Sequence, residues 1–240
     1  MTQHIVSAFE EELVSLGEKI AQMGGTVEKQ LAEAIDALNR RDGKLAQKVI
    51  ADDKTADDYE RQIEEQAILM IVRRQPMALD LREIIAAIRM SAELERIGDL
   101  AKNVAKRVLA IGSKGQPKRL IRGVEHMSRI AMQQLKDVLD AYSQRDADKA
   151  VAVWRRDEEI DSMYTSLFRE LLTYMMEDPR NITACTHLLF AAKNVERIGD
   201  HATNIAEMVH YLVHGEALTD ERPKGDKTST TAIPYPESDD

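Results

Sequence analysis

Apolar residues recur at three- and four-residue intervals along most of this chain. The stripe is clearest at Met90, Leu94, Ile97, Ala101, Val104 and Val108, the spacing of a helix with one buried side. Two proline turns interrupt the period, Arg74-Gln75-Pro76 and Glu177-Asp178-Pro179, because proline cannot donate inside a helix and disfavours helix in the residue before it. Between Ile111 and Pro117 the run Gly112-Ser113-Lys114-Gly115-Gln116 has the composition of a connecting loop. The pattern predicts helices at about 5–40, 43–74, 79–111, 117–144, 147–177 and 181–214. Three fall in each half, so we expect an all-α chain of two tandem three-helix bundles, 1–113 and 114–216. In 217–240, Pro, Ser, Thr, Asp and Lys replace the apolar period, and a disordered tail is expected.

The two halves also resemble each other. Asp36-Ala37, Arg41-Asp42, Ala46, Val49, Asp53 and Asp57 return 104 residues later as Asp140-Ala141, Arg145-Asp146, Ala150, Val153, Asp157 and Asp161. Glu95-Arg96-Ile97-Gly98-Asp99 returns unchanged after 101 residues as Glu196-Arg197-Ile198-Gly199-Asp200. The slip of three residues between these shifts belongs to the intervening turns. An internal duplication of a helical unit accounts for the whole pattern.

Composition agrees and narrows the function. Aromatic residues make up 4% of the 240, and Pro and Gly number only 6 and 11, which favours helices over strands. A net charge of −9 argues against binding a phosphate backbone, which needs a basic face to release counterions. Nucleic acid is therefore not expected as a partner. The single cysteine, Cys185, can form no intramolecular disulfide, and MTQHIVSAFEEELVSLG lacks the apolar core of a signal peptide. These features point to the cytoplasm. No stretch offers the roughly 20 apolar residues that cross a bilayer, so membrane contact is expected only through protein partners.

The candidate chemistry lies in the repeated acids. Glu95, Asp99 and Asn103, like Glu196, Asp200 and Asn204, follow one another at four-residue spacing and so share a helix face. At about 100° per residue that face points nearly opposite the apolar stripe, toward solvent. Like charges four residues apart cost a helix about 0.2–0.5 kcal/mol unless a cation or basic group lies between them. Gly98 and Gly199 stand mid-helix, where glycine costs roughly 0.5–1 kcal/mol relative to alanine and is tolerated where another backbone or a ligand comes close. The second helix of each half adds Asp53 with Asp57 and Asp157 with Asp161, again four apart. Where the second and third helices run antiparallel, four carboxylates and an amide can meet in one groove. Such a nest of hard oxygen donors suits Mg, Mn, Ca or iron, and zinc less.

These residues carry a resemblance to the PhoU family. The duplicated Glu-Arg-Ile-Gly-Asp looks like that family's repeated acidic signature, and Met23-Gly24-Gly25, Lys48-Val49-Ile50 before Asp53, Arg74-Gln75-Pro76 and the run Leu172 to Asp178 are similar as well. The similarity spans about residues 8–214. It implies two three-helix bundles with metal ions, sometimes iron clusters, held on the outside of each by Glu95, Asp99, Glu196 and Asp200 with Asp53, Asp57, Asp157 and Asp161, and with Asn103 and Asn204 as weaker ligands. It also implies a cytoplasmic, often dimeric negative regulator, not an enzyme. Such a protein couples the high-affinity phosphate ABC transporter, through its ATPase subunit, to a membrane sensor histidine kinase, and keeps phosphate-starvation genes off when phosphate is plentiful.

Two other readings stand beside it. A metal-free scaffold would use the same acidic grooves to bind basic surfaces of partner proteins, with Arg96 and Arg197 forming local ion pairs. A di-iron carboxylate oxidase would need Glu-x-x-His on two helices facing the core; Glu207-Met208-Val209-His210 is one match, but Arg107-Val108-Leu109 provides no counterpart. His210 and His214 sit near a helix end where the dipole favours them. His187 reads as packing or surface, as does His201, which could touch the site from its edge. Trp154, Tyr174, Met175, Met176 and Cys185 read as core or interface.

Overall fold

The computed structural model describes residues 2–112 and 118–219. Eight α-helices follow one another there: α1 Thr2–Arg40, α2 Gly43–Asp52, α3 Lys54–Arg74, α4 Leu79–Ile111, α5 Lys118–Gln144, α6 Ala147–Arg155, α7 Asp157–Glu177 and α8 Ile182–His214, with a 3-10 turn at Pro179–Asn181 before the last. All six predicted segments are present, and no strand occurs among the described residues. The second and fifth segments are each interrupted at a single residue, Asp53 and Arg156, dividing α2 from α3 and α6 from α7. The expected loop from 113 to 117 and the expected disordered tail from 220 onward lie outside the described residues.

The repeated Arg-Asp pairs build the same turn twice. Arg41 and Arg145 take the left-handed conformation, φ 57° and 51°. The following amides reach back five residues, Asp42 N–H to the Ala37 carbonyl and Asp146 N–H to that of Ala141, which closes each preceding helix. Each Asp then caps the next helix: Asp42 Oδ1 accepts from the Lys44 and Leu45 amides, and Asp146 Oδ1 from the Lys149 amide. Asp53 begins α3 without a side-chain cap, because its carboxylate is used elsewhere.

In each half three layers pack together: α1, α2–α3 and α4 in the first, α5, α6–α7 and α8 in the second. The halves join mainly through α4 against α8, with α1 against α5. Their cores are continuous, running from Leu16 and Met23 through Met90 and Ile97 to Met127, Leu188 and Ile198. The predicted stripe Met90, Leu94, Ile97, Ala101, Val104 and Val108 is buried throughout. So are Ser91, Gly98, Leu100 and Ala105, since α4 is covered both by its own bundle and by α8. No helix among the described residues is long and apolar enough to cross a membrane.

Candidate functional site

The duplicated acids gather in two nests, one per half. In the first, α2–α3 brings Asp53 to α4 beside Asp99. Gln30 from α1 donates its Nε2 to Asp53 Oδ1 at 2.9 Å and to the Gly98 carbonyl at 3.3 Å. Lys102 reaches into the middle, its Nζ 2.5 Å from Asp53 Oδ2 and hydrogen-bonded to Asp99 Oδ1. Asp57, Glu60 and Glu95 stand close enough for their charges to act on one another.

The second nest has the same frame and different contents. Thr203, at the position of Lys102, donates its Oγ1 to Asp157 Oδ1 at 3.0 Å. Gln134, the counterpart of Gln30, donates to the Arg156 carbonyl at 3.0 Å. Lys193 enters from one turn upstream, 2.7 Å from Glu196 Oε1, with its ammonium 4.9 Å from the centre of the Tyr164 ring. Ile160, Tyr164 and Phe168 occupy the positions held by Ala56, Glu60 and Glu64 in the first half, so this nest is the more enclosed.

The glycines are explained by helix packing. A Cβ on Gly98 would stand 3.1 Å from Gln30 Oε1 and 3.5 Å from the Ala56 methyl; one on Gly199 would stand 2.8 Å from Ile160 Cδ1 and 3.3 Å from Gln134 Oε1. Glycine thus lets the neighbouring helices approach and lets each glutamine amide lie under the motif.

The predicted outward orientation needs correction. Asp53, Asp157, Asp161 and Glu196 are only 5%, 3%, 5% and 5% exposed, while Asp57 is exposed and Glu95, Asp99, Asn103, Asp200 and Asn204 are half-buried. The helical wheel treats α4 and α8 as surface helices with one covered side, whereas each has several neighbours and keeps only a narrow solvent strip, on which Arg96 and Arg197 lie. Burial has electrostatic consequences. It is the main cause that pushes the Glu95 carboxyl up to about 7, with Asp99, Glu60, Asp57 and Asp53 adding to it. Glu196 is also pushed up to about 7, first by burial and then by Asp200 and Asp161, against the hydrogen bond and charge of Lys193. Asp57 and Glu60 are raised for the same leading reason. Burial would lower the Lys102 ammonium, but its bonds to Asp53 and Asp99 more than offset this and hold it well above the usual lysine range.

Other predicted residues are placed differently. Asn204 donates to Glu93 Oε2 at 2.9 Å, and His201, which is buried, has its Nδ1 2.6 Å from the same oxygen. These three form a polar tie between α8 and α4, joining the halves. Arg96 approaches Glu93, at 4.0 Å, rather than Glu95. Glu207 accepts from the buried Trp154 Nε1 at 3.0 Å, and His210 lies against the Glu216 carbonyl and the His214 ring, so the Glu207–His210 pair is not set inward as a di-iron ligand. Cys185 is buried, and Tyr174 and Met175 pack on the core, but Met176 is 77% exposed. Gln30, Gln134, Glu60, Glu93, Lys102, Lys193 and Thr203 join the sites without belonging to the acidic pattern. The two glutamines, 104 residues apart, are readable by carrying the repeat further upstream.

The residues present can be tested against a metal ion. Among the described residues no three His, Cys, Asp or Glu side chains are drawn together as a ready ligand set. In the first nest an ammonium already sits between Asp53 and Asp99, and the arrangement does not fit a second cation. In the second, the donors are oxygen-rich and Glu196 Oε2 is buried without a hydrogen-bond partner. Asp157, Asp161, Glu196 and Asp200 there are hard oxygen donors of the kind that Mg, Mn or iron prefer, without standing as a ready ligand set.

The same duplication is found by comparison with known proteins. A PhoU domain model matches the chain twice, at 20–108 and 124–209. The phosphate-specific transport system accessory protein PhoU homolog of Rhizobium meliloti (strain 1021) is 60% identical over 227 residues, covering 95% of this chain and 96% of that protein. Among solved structures, PhoU from Pseudomonas aeruginosa superposes with a TM-score of 0.81 at 41% identity, over 87% of this chain and 100% of that one. The phosphate transport system regulatory protein PhoU from Streptococcus pneumoniae superposes equally, at 0.81 and 28% identity, over 88% and 99%.

Proposed function

This chain belongs to the PhoU family, and from that membership we propose that it is a non-enzymatic regulator of phosphate uptake. It acts in the cytoplasm, as a homodimer, coupling a phosphate ABC transporter, through the ATPase subunit, to a membrane sensor histidine kinase, and it holds the phosphate-starvation response off when phosphate is plentiful. The observation that carries this reading is the near full-length match to a protein named as an accessory of the phosphate-specific transport system. The regulatory protein from Streptococcus pneumoniae, similar over almost its whole length, supports it.

The acids serve the adaptor in two ways under this reading. The second nest takes a hard cation through Asp157, Asp161, Glu196 and Asp200, and the ion would neutralise the charge crowded there. A metal-free role suits the first nest, where Lys102 already supplies the positive charge. Deleting the chain should raise alkaline phosphatase and transporter expression in phosphate-rich medium, and restoring it in trans should repress both. Expression unchanged by the deletion would rule out the regulatory assignment.

A further inference from the structure

The outer side of α3 is more apolar than a solvent face requires. Ile68, Leu69 and Val72 stand there 50%, 48% and 68% exposed, opposite the buried Ala56, Ile63, Ala67 and Met70 that hold the helix to its bundle. Scattered apolar residues on a surface need no explanation, but a group of them on one helix face marks a contact. Glu65 and Arg73 lie four residues to either side of Leu69 on the same face. Both are exposed, and neither forms an ion pair among the described residues, whereas their neighbours Arg61 and Arg74 pair with Asp58 and Glu12. We propose that this face receives a second copy of the chain, its α3 running antiparallel about a two-fold axis beside Leu69. The proposal rests on the homodimer of the preceding reading and names its surface.

An antiparallel partner reverses the order of the charges. With Leu69 on the axis, Glu65 of each copy faces the partner's Arg73, so symmetry pairs both ends of the contact. Between these pairs Ile68, Leu69 and Val72 of the two copies cover one another, an apolar centre with a charged rim. Beside the stripe, α1 and α3 leave a groove of about 420 Å³ lined in part by Leu69, Met70 and Arg73, into which a side chain of the other copy can reach. Past the end of α3, the exposed Met77 and Leu79 prolong the apolar surface. One helix pair covers less than the roughly 800 Å² per partner of a standard interface, so a dimer of micromolar strength is expected.

The repeat offers a second face to compare, on α7. Leu172, Thr173 and Met176 stand where α3 has Ile68, Leu69 and Val72, so α7 on α7 would centre on two hydroxyls. The charges are also exchanged, Arg169 for Glu65 and Glu177 for Arg73. An antiparallel α3 on α7 would therefore set Glu65 against Glu177 and Arg73 against Arg169, like against like. A parallel α3 on α7 would match the charges but does not close. In each chain α1, α4, α8 and α5 pack in a ring, with α3 outside α1 and α4 and α7 outside α5 and α8, so the two faces look away from each other. Every such contact would leave one face of each kind free and lead to an open array, whereas α3 on α3 closes at two copies.

Sedimentation velocity of the full chain over a range of concentrations provides the test. Wild type should be a dimer in reversible equilibrium with monomer. Leu69→Asp, which sets two carboxylates at the axis, should leave only monomer, and Thr173→Asp on α7 should leave the wild-type dimer. Glu65→Arg and Arg73→Glu each oppose like charges at two places and should weaken association about tenfold or more. Combining the two exchanges should restore it to within about threefold of wild type. A dimer that survives Leu69→Asp, or combined exchanges that do not restore it, would overturn the proposal and leave the homodimer itself standing. Dissociation by Thr173→Asp instead would move the contact to α7 and overturn it too. If wild type is monomeric at every concentration, the surface and the homodimer fall together, while the regulatory reading is judged separately by the deletion. Circular dichroism checks folding, and should Leu69→Asp fail to fold, the charge exchanges decide.

Discussion

Glu196→Gln should make the protein more stable at pH 8 and leave it nearly unchanged near pH 4.5. The Glu196 carboxyl is buried beside Asp161 and Asp200 and titrates at about 7 instead of 4.5. A group whose acid form is favoured by folding ionises first in the unfolded chain. Its stabilising contribution is complete below 4.5, is lost as pH rises from 4.5 to 7, and stays lost above that. At about 1.4 kcal/mol for each pH unit of displacement, the loss approaches about 3 kcal/mol. Glutamine carries no charge and avoids this penalty, and the opposing attraction of Lys193 is already contained in the displacement. The variant should thus exceed wild type by about 3 kcal/mol at pH 8, and the difference should shrink steadily toward pH 5. Urea unfolding in chelator, followed by circular dichroism at several pH values, measures it, with Trp154 fluorescence as a second probe. Glu95 acts in the same direction but is less enclosed, so some pH dependence will survive in the variant. A difference between variant and wild type that does not change with pH would refute the reasoning, as would a less stable variant at pH 8.

Two further predictions concern the frame that holds the nests. Gly25, where an added methyl would meet nothing within 4 Å, should accept alanine with a gain of about 0.5–1 kcal/mol. Gly199→Val, against Ile160 and Gln134, should instead cost about 3 kcal/mol through overpacking; thermal melts of the pair would show opposite shifts, and equal shifts would contradict the packing account. Asp42→Ala and Asp146→Ala each remove the side-chain cap of a helix and should cost about 1 kcal/mol apiece. Because the caps lie in different halves, urea denaturation of the double variant should return the sum of the two losses.

Much of the fold is readable because its signals are local. Prolines at 76 and 179 stop helices, the Arg-Asp pairs mark a left-handed residue and a cap, and the apolar stripe of α4 is buried as its period requires. The interruption at Asp53 carries no such signal. Its backbone stays helical, φ −53° and ψ −36°, and the break accompanies a carboxylate that caps nothing and turns to Gln30 and Lys102. The orientation of the acids escapes a helical wheel because a wheel knows only its own helix. The small residues Ser91, Gly98 and Ala105 beside the stripe are the sign that a second neighbour, α8, comes close. The inequality of the nests, by contrast, is present in the repeat itself. Matching positions such as Gln30 and Gln134 fix the shared frame, and unmatched ones set the chemistry: Lys102 against Thr203, Glu60 against Tyr164, Ala92 against Lys193. The tie between Glu93, His201 and Asn204 cannot be found that way. The internal counterparts of Glu93 and His201 are Asn194 and Leu100, which cannot form an ion pair. The junction between the halves is therefore less symmetric than the halves it joins, and only the folded packing of α4 on α8 brings its polar partners together.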